Sequence, residues 1–448
     1  MKTQTSNPKI SPARAAAFDI LMRVEKEDGY ASEMLHARKY QDLSSLDHGL
    51  ATQITLGVLR WRSTIDETVR RASSKKLAQM DAEVLTALRM GVFQIQYLER
   101  IPAHAAIFES VELVKRARKR SAVPFVNAVL RKVPVERHSS VVEDADDAAT
   151  LASVSAHPMW LVERWTASYG LDQTRRICAH NQSTPVAAIH FHDNAAEEEL
   201  IREGVELQPG ALLNHARRVR SGDVTKTRAF RERRISVQDE ASQLVALLVG
   251  TGQTILDCCA APGGKTRSIA ERNPKSRVFA TELHPHRAAL LQRLAGAENV
   301  RVIAADARQL PFTSEFDRVL VDVPCSGTGT LARNPEIKWR LKANDLEDLA
   351  DRQVAILQSV LERVESAGKL VYASCSLEPE ENEAVVEKVL SKATGFQVAS
   401  CREELASLRD AGELSWGDLD SLISGDYLRT IPGVHPCDGF FAAILERR

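Results

Sequence analysis

The chain has 448 residues, of which 44% are hydrophobic and 27% charged, with a formal net charge of -1. This is the balance of a folded globular protein; it excludes disordered and fibrous classes and, at roughly 150 residues per domain, predicts about three domains. No run approaches the roughly 18 apolar residues of a membrane helix, residues 1–8 lack an apolar signal core, and the seven cysteines have no paired spacing, so a cytoplasmic protein with reduced thiols is expected.

Residues 1–135 read as helical almost throughout. Ser11-Pro12 resembles an N-cap followed by proline at the first helical position, and Ala15, Phe18, Leu21 and Met22 continue at helix spacing. The end of this region is basic: Lys115, Arg116, Arg118, Lys119 and Arg120, then Arg131 and Lys132, with no acid between Lys115 and Lys132. Such a cluster suits a phosphate backbone, because each neutralised phosphate releases counterions. It equally suits a solvated helix end that complements the helix dipole. Residues 136–155 are polar and acidic without periodicity and read as a linker. Residues 156–234 alternate helix and strand patterns, with helices at 158–169 and 173–180, a strand at 186–192 and a helix at 195–203. A small α/β module is expected there, for RNA contact or as a spacer.

From residue 235 short apolar runs alternate with helical patterns, which is the signature of a doubly wound sheet. Strands are expected at 254–256, 277–281, 300–305, 318–321 and 369–373, a long helix at 346–364, and a closing edge strand at 440–445. The first strand runs into Asp257-Cys258-Cys259-Ala260-Ala261-Pro262-Gly263-Gly264-Lys265-Thr266. A Walker A loop needs glycine where Cys259 stands, and no GxGxxG pattern is present, so neither nucleotide hydrolysis nor hydride transfer is supported. A Gly-rich turn between strand and helix still presents backbone N–H groups to a ligand. Asp257, Glu282 and Asp306 end three successive strands; a carboxylate at the second accepts ribose hydroxyls, and the third is placed to meet an adenine edge. The fourth strand ends in Asp322-Val323-Pro324-Cys325-Ser326-Gly327-Thr328-Gly329, and the fifth in Ser374-Cys375-Ser376. Either thiol alone would read as a small buried side chain; two at neighbouring strand ends, each in a polar loop, point to chemistry. The adjacent pair Cys258-Cys259 has no CxxC partner and no histidine at metal spacing, so no metal is expected.

Residues 257–266, 322–330 and 372–382 closely resemble the Nop/Sun (RsmB/NOP) family of RNA cytosine-C5 methyltransferases, which use S-adenosyl-L-methionine. The run from Gly327-Thr328-Gly329 to Asn334-Pro335-Glu336-Ile337-Lys338-Trp339 is similar to its bacterial RsmB/Sun-type branch, which modifies 16S ribosomal RNA, and the helical region is similar to the NusB-type RNA-binding domain of that branch. The resemblance implies a Rossmann-like class I methyltransferase core at 235–448, preceded by the all-α domain, the acidic linker and the small module. It implies cofactor contacts from Cys259, Ala260, Ala261, Pro262, Gly263, Gly264, Lys265, Glu282, Arg287, Asp306 and Asp322. It makes Cys375 the nucleophile and Cys325 the residue of product release.

The chemistry asks for such groups. C5 of cytosine is a poor nucleophile until a thiolate adds at C6, and afterwards the C5 proton must leave. Asp322 is then expected to contact the base or the cofactor's amino group, and Lys265 to stabilise charge on the ring. Arg333, Lys338, Trp339 and Arg340, with the basic cluster Lys115, Arg116, Arg118, Lys119 and Arg120, are expected to contact RNA, although Trp339 reads equally as a core anchor. The target base must be unstacked to reach Cys375. A monomer acting on 16S rRNA is the expectation. The same chemistry on tRNA or 23S rRNA, or a non-catalytic RNA-binding assembly factor that keeps only the fold, are the rivals. Two departures from the family pattern, Glu282 for aspartate and Ser374 for threonine, leave the roles chemically intact.

Overall fold

The structure is a computed structural model describing residues 10–27, 29–135, 142–193 and 195–448. The chain divides into two units, residues 1–184 with 331–340 and residues 185–330 with 341–448.

The first unit is helical. Proline at the first position opens α1 (Pro12–Val24), and α2 (Ala31–Leu35), α3 (Ser45–Arg60), α4 (Arg62–Ala72), α5 (Ala82–Tyr97), α6 (Ala103–Arg116) and α7 (Val123–Arg131) follow. Apolar residues at helical spacing meet in one core around Ile20, Ile54, Ile65, Leu88, Leu113 and Leu130, each at most 1% exposed. Gly57 lets α3 close on α5, since a Cβ there would lie 1.9 Å from the ring of Phe93. The expected acidic linker is shorter than its composition suggested. Residues 136–141 lie outside the described residues, and α8 (Ala148–Val154) and α9 (Met159–Gln182) belong to the helical unit rather than to a separate module. The helices expected at 158–169 and 173–180 meet at Gly170, whose φ of 77° and ψ of 162° break the helical path between them. The end of α9 is fastened to α3, with Arg60 Nε donating to the carbonyl of Asn181 at 3.2 Å and Gln182 Nε2 to that of Arg60 at 3.3 Å.

The second unit begins with the small module. Its antiparallel sheet has the order β2-β3-β1-β4, built from β1 (Ala188–Phe191), β2 (Glu206–Pro209), β3 (Arg217–Ser221) and β4 (Ile235–Val237), with α10 (Ala196–Arg202) and α11 (Arg228–Arg231) as its short helices. After α12 (Glu240–Leu248) the expected alternation appears: β5 (Thr254–Cys258), α13 (Gly264–Arg272), β6 (Arg277–Glu282), α14 (Pro285–Ala295), β7 (Val300–Ala304) and β8 (Phe316–Asp322). The chain then passes through residues 331–340, which carry α15 (Ile337–Arg340), and returns as α16 (Asp345–Leu361), β9 (Val364–Ser374), α17 (Glu383–Leu390), β10 (Phe396–Ala399), α18 (Cys401–Asp410), β11 (Ile423–Ser424), β12 (Tyr427–Thr430) and β13 (Phe440–Arg447). The large sheet has the order β11-β12-β13-β9-β8-β5-β6-β7, with β10 also pairing with β13. Strands β5 to β9 are parallel to their neighbours, and β13 runs antiparallel to β9. The chain reverses its direction of travel across the sheet between β5 and β8, which is where ligands bind in open α/β sheets. β13 is not the edge strand expected. Phe440 through Leu445 are all buried, and a run apolar on both faces belongs inside a sheet.

Residues 331–340 overturn a second expectation. Within the helical unit Lys338 is 1% exposed, and its Nζ donates to the carbonyl of Arg60 at 2.9 Å. Trp339 Nε1 donates to the carbonyl of Leu59 at 2.5 Å, and Arg340 Nη2 to that of Gly29 at 2.7 Å. Glu336 Oε1 accepts from the Ala31 N–H at 2.8 Å, and Arg60 Nη2 donates to the carbonyl of Ala332 at 2.8 Å. Lys338, Trp339 and Arg340 therefore donate to backbone carbonyls inside the unit, which leaves buried Lys338 no reach to an RNA, while Trp339, Arg340 and Arg333 beside them are half-buried. Burial holds the Lys338 amine well below its ordinary range. The N-terminal basic cluster is also partly neutralised, because Lys115 pairs with Glu112 at 2.6 Å, Arg116 with Asp19 at 2.8 Å and Lys119 with Asp81 at 3.0 Å. Arg118 and Arg120 stay exposed.

Because an apolar side chain of similar length avoids the cost of burying an amine, Lys338→Met is expected to keep or raise the midpoint of urea unfolding. RNA affinity should stay unchanged in a filter-binding assay; a fall in affinity at unaltered stability would return Lys338 to the RNA surface.

Candidate active site

Every strand end singled out in the sequence lies on one edge of the large sheet. In spatial order β9, β8, β5, β6 and β7 deliver Cys375, then Asp322 with Cys325, then Asp257 with Cys259, then Glu282, then Asp306. The loop after β5 turns sharply. Cys259 has φ 59°, the Ala261–Pro262 peptide is cis, and Gly263 has φ 117°. Gly263 is required twice, by that conformation and because a Cβ would lie 2.9 Å from Leu291 on α14. The loop hands directly into α13, so its backbone N–H groups face outward at a helix start.

The charges are unequal. Asp257 is 1% exposed; Oδ2 accepts from Thr266 Oγ1 at 2.6 Å, while Oδ1 has no partner. Burial pushes its carboxyl up to about 7, against the Thr266 hydrogen bond. Glu282 is 5% exposed, with Oε1 accepting from the His284 N–H at 3.0 Å, and the Arg287 guanidinium lies 3.8 Å from Oε1 as a looser ion pair. Asp306 is held below the usual carboxylate range by hydrogen bonds from Arg308. Lys265 Nζ donates to Asp322 Oδ2 at 2.7 Å and lies 5.1 Å from the centre of the Phe440 ring. Burial opposes the Lys265 charge, but Asp322 outweighs it and the ammonium is held above its ordinary range. Cys259 is pushed up by burial and by the surrounding carboxylates, which leaves it a neutral thiol.

Beside the Lys265–Asp322 pair the two candidate thiols meet, Cys325 Sγ to Cys375 Sγ at 3.1 Å, with the Cys375 N–H directed at Cys325 Sγ at 3.3 Å. The hydrogen bond to Cys375, followed by burial, drives the Cys325 thiol well above its ordinary value. Cys325 is thus held as a neutral thiol.

The sequence reading missed what holds the thiols in place. Glu381, fully buried, accepts from the Ser326 N–H at 2.8 Å, from Ser376 Oγ at 2.5 Å, from Gln353 Nε2 at 2.9 Å and from Ser326 Oγ. Asn382 Oδ1 accepts from Ser374 Oγ at 2.5 Å, and its Nδ2 donates to the carbonyl of Ser376 at 3.0 Å. The backbones come close as well: the Gly329 N–H donates to the carbonyl of Cys375 at 2.9 Å, and a Cβ on Gly329 would lie 2.2 Å from the carbonyl of Gly439. The one signal available in sequence was the repeated Cys-Ser, since both serines bind the same carboxylate.

Comparison with known proteins agrees with this geometry. A family described as 16S rRNA methyltransferase RsmB/F matches residues 244–446, and the NusB family matches residues 11–134. The chain is 30% identical over 455 residues to a probable ribosomal RNA small subunit methyltransferase B of Bacillus subtilis, covering 98% of this chain and 100% of that one. It is 32% identical to the ribosomal RNA small subunit methyltransferase B of Vibrio cholerae, covering 98% of each. A solved structure titled Crystal Structure of PH0851 shares the fold with a TM-score of 0.80 at 22% identity, over 98% of this chain and 99% of that one.

Glu381→Ala leaves buried donors without an acceptor, at about 1–3 kcal/mol for each unsatisfied group. A lowered unfolding midpoint and faster labelling of Cys325 and Cys375 by a thiol reagent are expected. Asp257 generates a pH dependence. Folded, it keeps its proton to about pH 7; unfolded, it releases it near pH ~3.9. The folded state then binds the extra proton between those values, so this group's contribution to stability falls as pH rises through the window. Urea unfolding from pH 4 to pH 7 should show a flatter profile for Asp257→Asn than for the wild type.

Proposed function

The chain belongs to the 16S rRNA methyltransferase RsmB/F family, with a NusB-family helical domain ahead of a Rossmann-like methyltransferase core, and from that premise we propose that it transfers a methyl group from S-adenosyl-L-methionine to C5 of a cytidine in 16S rRNA. The observation that carries this reading is the pair of thiols 3.1 Å apart at adjacent strand ends, beside a half-buried lysine–aspartate pair.

The residues fit the cofactor. A nucleoside needs hydrogen-bond acceptors at the strand ends, and Glu282 and Asp306 supply them for the ribose hydroxyls and the adenine edge. The loop from Cys259 through Ala260, Ala261, Pro262, Gly263 and Gly264 to Lys265 offers backbone donors, Asp257 Oδ1 is a buried acceptor without a partner, and Asp322 takes the amino-acid end; Arg287 sits at the rim beside Glu282. When bound, the cofactor supplies an electrophilic methyl group on a sulfonium.

The chain's own groups do the rest. The Cys375 thiolate adds to C6 of the cytosine, and the proton held by Cys325 passes to the ring, which makes C5 nucleophilic toward the methyl. Cys325, now a thiolate, accepts the C5 proton as the bond between C6 and Cys375 breaks, and the proton the ring had taken up leaves to solvent as the net proton of the reaction, which returns both sulfurs to their starting state. Lys265 lends positive charge to this step while holding Asp322 in place. Rigid contact through Glu381 keeps the two sulfurs at working distance. Of the basic cluster, Arg118 and Arg120 are the residues left to contact the RNA backbone.

Cys375→Ala is expected to lower methylation of 16S rRNA by several orders of magnitude. Cys325→Ala should instead accumulate a covalent protein–RNA adduct that survives denaturing electrophoresis. Free methylated RNA released at the wild-type rate by either variant contradicts its assigned role. Bisulfite mapping of 16S rRNA from cells lacking the gene should lose one signal, and an unchanged 16S map alongside a lost tRNA signal would redirect the substrate.

A further inference from the structure

His190 lies on β1, and His192 just past its end continues the ladder, its N–H donating to the carbonyl of Arg234 at 2.9 Å. Two residues apart in extended chain, the rings share a face. Glu271, near the end of α13, meets both. Its Oε2 is 2.8 Å from His192 Nδ1 and 3.6 Å from His190 Nε2, and the donor atoms of the three residues all lie within 4.8 Å of one another.

Outer contacts orient each ring. Gln243 Nε2 donates to the carbonyl of Gln238 at 2.8 Å, so its Oε1, 3.2 Å from His190 Nδ1, is an acceptor and Nδ1 carries the hydrogen. A neutral His190 therefore turns the bare lone pair of Nε2 toward a carboxylate oxygen. Two acceptors face each other, and only positive charge between them relieves the repulsion. His192 Nε2 lies 3.0 Å from Ser236 Oγ, a hydroxyl able to accept a hydrogen from it. His215 packs edge-on to His190 at 5.6 Å. Arg267 donates to the other carboxylate oxygen, Oε1, at 2.8 Å, so Oε2 is the oxygen that faces the two rings, while Arg272 is paired with Glu413 at 2.8 Å. The Glu271 side chain is 33% exposed, which gives an entry path.

We propose that His190, His192 and Glu271 form a binding site for a first-row divalent cation, zinc foremost, that fastens the small sheet to α13. Two imidazoles and a carboxylate, with remaining positions open to water, suit zinc, and nitrogen donors disfavour magnesium and calcium. Hydrogen bonds from the far nitrogen of each ring are the usual support for such ligands. On binding, the hydrogen at His192 Nδ1 moves to Nε2 and is taken by Ser236 Oγ, so both imidazoles ligate in the neutral form and no net proton is lost. The cation then holds the helix whose first turn carries Lys265, independently of any bound nucleoside or RNA.

The full-length protein, stripped with a chelator and kept reduced, is titrated with Co²⁺ while its visible absorption is followed, and then with Zn²⁺ in competition. One equivalent of Co²⁺ should bind with ligand-field bands but without an intense thiolate charge-transfer band, and Zn²⁺ should displace it. Affinity should fall roughly tenfold or more in His192→Ala and in Glu271→Gln, the second of which keeps the shape and the acceptor for Arg267, and should be unchanged in His104→Ala at an exposed position. Circular dichroism checks that each variant is folded. Three results overturn the proposal: no saturable binding; equal binding in all variants; or a thiolate band abolished by Cys375→Ser, which assigns the cation to the thiols.

Discussion

Two loops that leave neighbouring strands have no intrinsic reason to keep two sulfur atoms 3.1 Å apart. The strand ladder stops at the Val323 N–H and the carbonyl of Ala373, two residues short of either thiol. Beyond that point a single carboxylate takes over. Glu381 lies under both loops and accepts from the serine that follows each cysteine, while Gln353 on α16 bonds both it and the carbonyl of Pro324. A buried carboxylate is costly unless its lone pairs are filled, and here four donors fill them. The consequence is reciprocal, because the loops satisfy the charge and the charge fixes the loops. The Ser-Cys-Ser and Cys-Ser-Gly stretches are therefore not incidental polar flanks. Each serine is half of a clamp whose other half is 50 residues away.

The sheet and the long helices were legible because their signals are local. Apolar runs ending in polar Gly-rich turns mark parallel strands, and an apolar stripe marks α16. What could not be read were partners. Lys338-Trp339-Arg340 has the composition of an RNA grip, and nothing in its neighbourhood betrays that its donors go to carbonyls of residues 29, 59 and 60. The basic run from Lys115 has no acid within it, yet Asp19 and Asp81 reach it from other helices. Glu381 was invisible as a structural centre because a glutamate after proline ordinarily reads as solvated loop. In the site itself, residue types and strand-end positions were legible, whereas the hydrogen-bond network beneath them was not. For β13 the opposite holds: its unbroken apolar run contained the evidence for an interior strand, and chain position suggested an edge.

The electrostatics of the strand ends follow from crowding. Asp257, Glu282, Asp306 and Asp322 line one edge; Lys265 pairs with Asp322, Arg308 with Asp306 and Arg287 approaches Glu282, while Asp257, the most deeply buried of the four, responds by holding its proton. At the same edge the hydrogen bond with Cys375, and then burial, keep Cys325 a neutral thiol.

The return of residues 331–340 to the helical unit bears on the order in which the protein is made. When residue 184 emerges from a ribosome the helices α1 to α9 are complete in sequence, yet the carbonyls of Gly29, Leu59 and Arg60 still lack the donors that Lys338, Trp339 and Arg340 provide. Those donors arrive only after residues 185–330 have been added, on the order of ten seconds later at ~5–20 residues per second. By then β5 to β8 exist and β9 does not. The loop bearing Cys325 is thus anchored at its far end, by the unit synthesised first, before the strand that delivers Cys375 has been translated.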